Sequence, residues 1–205
     1  MKSSRIGRGT GTEFIVGAVV CLLSMGCGAR MRPQQPSEQA WCNRTVSTAA
    51  SVGQMPPTES IGAQASCASQ AEGGEWIVVW ASWCEPCRQE LPRIGAALEL
   101  LKRRGIAVKL TLVSIDTSPE ALADFLRKQP SGGVHPACVV RVLSPDSLDA
   151  WARTVGLASS SSGLPFHLLA SPAGSIVCMH AGELFDEDVR AIPSLLARLA
   201  TASSP

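Results

Sequence analysis

The chain has 205 residues, 18 basic and 17 acidic side chains, 45% apolar residues and 8 cysteines. That is room for one domain with extensions, and a net charge of +1 excludes a general nucleic-acid binder, because no excess field gathers phosphates. The apolar content excludes a disordered chain, and so many cysteines are out of place in a reducing cytosol without a metal or catalytic reason.

Lys2, Arg5 and Arg8 precede an apolar run of thirteen residues, Phe14 to Gly26, followed by Cys27-Gly28-Ala29. This reads as an export signal, since a spanning helix needs about 20 apolar residues. The segment LLSMGC resembles a bacterial lipoprotein signal, with Cys27 as the acylated residue that becomes the mature N-terminus and a lipid tie to the membrane. Ser24 and Met25 depart from the usual pattern, and cleavage after Ala29 is the competing reading. Either way the folded part lies outside the cytoplasm, at the periplasmic or extracytoplasmic face, where disulfides persist. Residues 1–27 are thus a signal, 28–74 a polar, proline-containing tether leading into an irregular section, and 75–205 the domain. Trp41 and the apolar residues near Ile61 imply that part of the irregular section packs onto the domain.

Regular structure is expected from Glu75. Trp76 to Ser82 (WIVVWAS) is a short apolar, β-branched run, the pattern of a strand covered on both faces. Leu91, Ile94, Leu98 and Leu101 then recur at steps of three and four, which predicts one helix from about Glu85 to Arg104. The basic triplet Lys102-Arg103-Arg104 and Gly105 close it, as cations suit the carbonyl end of a helix and glycine the residue beyond. A second strand is expected at Ile106–Ile115 and a helix at about Pro119–Lys128. A strand at Ala137–Leu143 and a helix at Pro145–Val155 follow. Strands at Phe166–Ala170 and Ser175–His180 come next, then a closing helix from Asp186 to about Ala200 that Pro193 should kink or split. The order β-α-β-α-β-α-β-β-α implies an α/β fold, a mixed sheet flanked by helices.

The chemistry concentrates in WCEPC, Trp83 to Cys87, at the junction of the first strand and first helix. Free amides and the helix dipole stabilise a thiolate there, so Cys84 is the expected nucleophile. Cys87, one turn further in, is suited to resolving a mixed disulfide. Pro86 supplies a helical φ in the first turn, and Glu85 places a negative charge that works against thiolate formation. A structural zinc site needs four ligands, and the chain has no second CxxC and no close histidine pair, so neither a metal nor another cofactor is implied.

With VWASWCEPCRQELPRI, the strand-and-helix insertion at Ala137–Val155 and GLPFHLLASPAGSIV, the sequence resembles the thioredoxin superfamily. Within it, it is similar to the membrane-tethered, exported TlpA- and ResA-type thiol-disulfide oxidoreductases, over about Glu75 to Ala200. The resemblance implies that Cys84 and Cys87 are the redox pair, that Pro92 kinks the first helix, and that Glu90 is an acidic residue able to take a proton from Cys87. Thioredoxin's own buried Asp position holds Val78. Pro165 corresponds to the family's cis-proline, so Leu164 and Pro165, with Trp83, Glu85 and Pro86, are the expected substrate contacts. The implied partners are disulfide-containing proteins such as apocytochromes and a membrane thiol reductase that returns electrons. A copper-binding module using Cys84, Cys87 and His167 is the alternative, since two thiolates and an imidazole suit Cu(I). A strand histidine satisfied by ordinary hydrogen bonds is the plainer account of His167, and His135 and His180 carry no signal.

Cys42, Cys67, Cys138 and Cys178 remain, and four cysteines allow three pairings. The family's topology places the strands of Cys138 and Cys178 at opposite sheet edges, about 19 Å apart, too far for a bond. The preferred arrangement is a local Cys42–Cys67 disulfide with Cys138 and Cys178 as buried thiols, against a fully oxidised form stapled to both edges.

Overall fold

In the computed structural model, residues 41–44, 51–53, 55–61, 73–129, 139–142, 144–156 and 163–202 are described. The signal with Cys27, and also Cys67, Cys138 and His135, lie outside the described residues. The apolar run becomes a central strand, β2 (Gly74–Trp80), because both of its faces find cover: every residue from Trp76 to Trp80 is buried. Around it stand β1 (Thr58–Ser60), β3 (Val108–Ser114), β4 (Val139–Val142), β5 (Phe166–Ala170) and β6 (Ile176–Ala181). The helices are α1 (Glu85–Arg103), α2 (Pro119–Arg127), α3 (Pro145–Thr154) and α4 (Asp188–Ala202).

The six-stranded sheet runs β1-β4-β3-β2-β5-β6. β2, β3 and β4 are parallel, and β1, β5 and β6 are each antiparallel to their neighbours. Alternation along β2 sends Trp76, Val78 and Trp80 to one face and Ile77 and Val79 to the other. The first set packs with Leu91, Ile94 and Leu101 of α1, Leu122 of α2 and Leu196 of α4. The second packs with Leu148, Trp151 and Val155 around α3. α1 ends as its sequence requires, with Lys102 and Arg103 in the last turn and Gly105 at φ +67°.

The structure departs from expectation at both edges of the sheet. Regular structure starts before Glu75: β1 pairs with β4, so β4 lies inside the sheet rather than at its edge. At the other edge, Arg44 bridges to Met179 of β6 and Ser51 to Ser175 just before it, both antiparallel, so these residues of the N-terminal section lie against that edge. That placement brings Cys42 to Cys178, and the two form a disulfide with Cα atoms 5.2 Å apart, which overturns the preferred Cys42–Cys67 loop. A local loop costs less closure entropy, but pairing along β6 delivers the distant partner. Pro193 also fails to split the last helix, which runs through it unbroken; a proline removes one amide donor, and the buried residues Ile192, Leu195 and Leu196 hold the helix to the sheet.

Candidate active site

Cys84 is the N-cap of α1, and its sulfur accepts the Cys87 amide at 3.3 Å. The two cysteines form a disulfide, with Cα atoms 5.3 Å apart. Cys84 retains 7% exposure and Cys87 none, so the outer position belongs to Cys84, although it is more closely covered than a freely reachable nucleophile would be. Pro86 sits in the first turn, where its missing amide proton costs nothing. Glu85 is exposed and paired with Arg88 at 3.1 Å, so the charge expected to oppose a thiolate is partly offset. Trp83, 65% exposed, stands beside the pair.

The turn carrying the pair is pinned by a residue that sequence reasoning missed. Asp116, buried beyond the end of β3, accepts from the Ser82 amide at 2.9 Å, the Ser82 hydroxyl at 2.6 Å and the Ser114 hydroxyl at 2.7 Å. Arg141 donates to its carbonyl and pairs with Glu59 of β1. The signal was faint: an Asp two residues after a strand serine.

Glu90 lies one helical turn beyond Cys87 and is fully buried. Its Oε2 accepts the Leu184 amide at 3.0 Å and lies 3.2 Å from His167 Nε2; its Oε1, also buried, has no hydrogen-bond partner among the described residues. His167, on β5 opposite Val78, is likewise fully buried, and its Nδ1 faces the Trp76 indole N–H at 3.3 Å. Trp41 lies 5.6 Å from the His167 ring and stacks on His180 at 4.6 Å. The His180 Nδ1 donates to the Trp41 carbonyl at 2.6 Å. Burial pulls the pKa of His180 below the ordinary histidine value, partly opposed by that hydrogen bond, and burial raises that of Asp188 despite the Phe185 amide it accepts.

Leu164–Pro165 is a cis peptide, with Pro165 buried and Leu164 half-buried against the core that includes both cysteines. The Pro165 carbonyl accepts the Gly182 amide at 3.0 Å. Gly182 opens the loop to α4, which Arg93 ties to α1 through Glu183, Asp186 and the Leu184 carbonyl. Its hydrogen bond to Glu183 chiefly holds the Arg93 guanidinium in its charged form. That loop supplies the Leu184 amide to Glu90 and carries Phe185, 51% exposed. Among the described residues no three His, Cys, Asp or Glu side chains cluster as a metal site. The copper reading needs a free imidazole nitrogen, and both of those of His167 are engaged.

No family model matches the chain. It is similar to the thiol-disulfide oxidoreductase ResA of Bacillus subtilis, 28% identical over 123 residues, which cover 60% of this chain and 61% of that protein. It is also similar to a thioredoxin of Listeria monocytogenes, 34% identical over 59 residues, covering 27% of this chain and 54% of that protein. The chain therefore spans less than two thirds of the length of these curated relatives. A solved thioredoxin-family thiol:disulfide interchange protein from Chlorobium tepidum aligns with 75% of this chain and 98% of its own, at a TM-score of 0.53 and 17% identity. That likeness shows the fold. The sheet order, the cysteine pair at the head of α1 and the cis-proline define a thioredoxin-like protein. The chain has the thioredoxin-like fold and is similar in sequence to a ResA-type thiol-disulfide oxidoreductase.

Proposed function

We propose that this chain is an extracytoplasmic thiol-disulfide oxidoreductase that exchanges the Cys84–Cys87 pair with protein disulfides, working as a reductant. The observation that carries it is the disulfide at the N-cap of α1, with the Cys87 amide directed at the Cys84 sulfur. In the reduced protein that amide and the helix dipole stabilise a Cys84 thiolate. The thiolate attacks one client sulfur, a Cys84–client bond forms, and the other client sulfur leaves as a thiolate and takes a proton. Cys87 then loses its proton to Glu90, whose Oε1, without a hydrogen-bond partner among the described residues, is the available acceptor one turn away, and attacks the Cys84 sulfur. The second client thiolate departs; two electrons have passed to the client and the pair is a disulfide again. Trp83, Glu85, Pro86, Leu164 and Pro165 frame the client segment.

Export through residues 1–27 with lipidation at Cys27 agrees with the Cys42–Cys178 disulfide, a bond at home in an oxidising compartment. Among the described residues no helix is long and apolar enough to cross a membrane. A reductant there needs a membrane thiol reductase to reload it, and apocytochromes are the client class offered by the resemblance. The test is insulin reduction by wild type, Cys84→Ser and Cys87→Ser, with a redox titration of the pair. Wild type reduces insulin, Cys84→Ser does not, and Cys87→Ser accumulates a mixed disulfide. A midpoint near −270 mV agrees with a reductant, and one near about −120 mV refutes that direction.

A further inference from the structure

Two polar side chains with no exposure, brought together from positions 77 residues apart, form the innermost part of the site. An indole nitrogen can only donate, so His167 Nδ1 accepts from Trp76 and the ring proton sits on Nε2, directed at Glu90. Glu90 Oε2 thus takes two donors, the imidazole N–H and the Leu184 amide, while Oε1 takes none among the described residues. A carboxylate anchored through one oxygen presents the other in a fixed direction, and Cys87 precedes it by one turn of the same helix. We propose that His167 is the positioning residue for Glu90: through Nε2 it fixes the carboxylate so that Oε1 serves the Cys87 proton transfer. This rests on the reading of Cys84–Cys87 as an exchanging pair.

The surroundings hold that arrangement from every side. Val78 faces His167 across the β2–β5 register and offers it no polar partner. On β6, His180 is its cross-strand neighbour, with ring centroids 5.7 Å apart. Asp188 on α4 is the acidic group on that side, bonded to the Phe185 amide. Arg93 of α1 and Glu183 of the β6–α4 loop neutralise one another. Trp41 covers His167 and His180 from the N-terminal section and brings no charge. Glu90 and His167 are therefore each other's one titratable hydrogen-bond partner among the described residues.

The test follows the reduced protein with Ellman's reagent as the small disulfide. Attack by Cys84 releases a first thionitrobenzoate, and resolution by Cys87 releases a second, a phase identified by its loss in Cys87→Ser. Glu90→Gln should slow that second phase about 100-fold at neutral pH, the range of a lost general base. His167→Leu and His167→Asn, which cannot present an N–H where Nε2 stood, should slow it about tenfold and move its pH profile toward that of Glu90→Gln. His167→Gln places an amide N–H at the Nε2 position and should restore both rate and profile. In a Glu90→Gln background, His167→Leu should add no further slowing. The proposal is overturned if His167→Leu or His167→Asn keeps the wild-type rate and profile, if His167→Gln is as slow as they are, or if His167→Leu slows Glu90→Gln by the factor it slows wild type. Insulin reduction by wild type reports separately on the function, because the reagent phases need no protein client.

Discussion

Replacing both Cys42 and Cys178 with Ala removes the cross-link between the N-terminal section and β6 and leaves the redox pair intact. The bond joins residues 136 apart in sequence, and for a loop of that length the chain-entropy model gives about 5 kcal/mol of stabilisation. The contacts beside it persist in the variant: the Arg44 bridge to Met179 and the two hydrogen bonds between the Asn43 side chain and Ala181. They hold the folded section in place without shrinking the unfolded ensemble, so most of the entropic term is expected to appear. Filling two cysteine positions with the smaller Ala adds roughly 1 kcal/mol, chiefly at the buried Cys178. The assay is urea unfolding followed by tryptophan fluorescence, in a Cys84→Ser background so that the redox pair makes no contribution. With an m-value of about 2 kcal/mol per molar, the midpoint should fall by roughly 3 M. A fall of less than about 0.5 M at unchanged m-value would contradict this role of the disulfide, because it would mean that the bond adds almost no constraint to the unfolded chain.

Asp116→Ala leaves three donors around Ser82 and Ser114 without their acceptor and should cost about 3 kcal/mol; thermal melts check it, and a loss below about 0.5 kcal/mol contradicts the assigned pinning. Burial depresses the His180 pKa below its unfolded value of 6.5, so the unfolded chain takes the proton first on acidification. Stability is full above about 6.5 and falls as pH drops from there toward the folded value. Asp188, raised above 3.8, works in the opposite sense at lower pH, its contribution present in acid and lost as pH rises through its folded value. The melting temperature should therefore drop from pH 7.5 to 5.5, and drop less in His180→Asn, which keeps a donor for the Trp41 carbonyl; equal drops would count against the assignment. Arg93→Ala unties the loop that supplies the Leu184 amide and should cost about 1 kcal/mol. It should also slow the Cys87-dependent phase a few-fold, and an unchanged phase would separate the loop from the site.

How much of this was legible in the sequence depends on whether a feature is local. The run WIVVW, the three-and-four spacing of Leu91, Ile94, Leu98 and Leu101, and the cap and stop residues of α1 are local, and β2 and α1 lie within one or two residues of where they were expected. β1 is the residues TES, with no apolar alternation; it is a strand because β4 offers it partners, with Glu59 opposite Arg141. The Cys42–Cys178 bond was hidden for the same reason, since spacing favoured a near partner and only the path beside β6 chooses the far one. Glu90 and His167 were each visible alone. A histidine inside the apolar strand FHLLA needs a buried partner, but which one it meets depends on packing β5 under α1.

These non-local features meet at the cysteines. On one side, Glu59 of β1 holds Arg141, which reaches the Asp116 carbonyl, and Asp116 pins Ser82 two residues before Cys84. On the other, the bond from Cys42 to Cys178 fixes Trp41 over His180 and His167, and His167 holds Glu90 one turn beyond Cys87. Between the two, the Val52 carbonyl accepts the Trp151 indole N–H beneath α3, so the section is fastened on the opposite face as well. Residues 41–61 therefore do more than lead into the domain: each cysteine is supported by a chain of contacts that ends on them. A chain beginning at residue 73 would keep the redox pair and its helix, but would lack the cover over His167 and the partner of Arg141. Its exchange chemistry is expected to survive with altered kinetics of the Cys87 step, whereas wild-type kinetics in such a chain would show that these contacts hold the fold without tuning the pair.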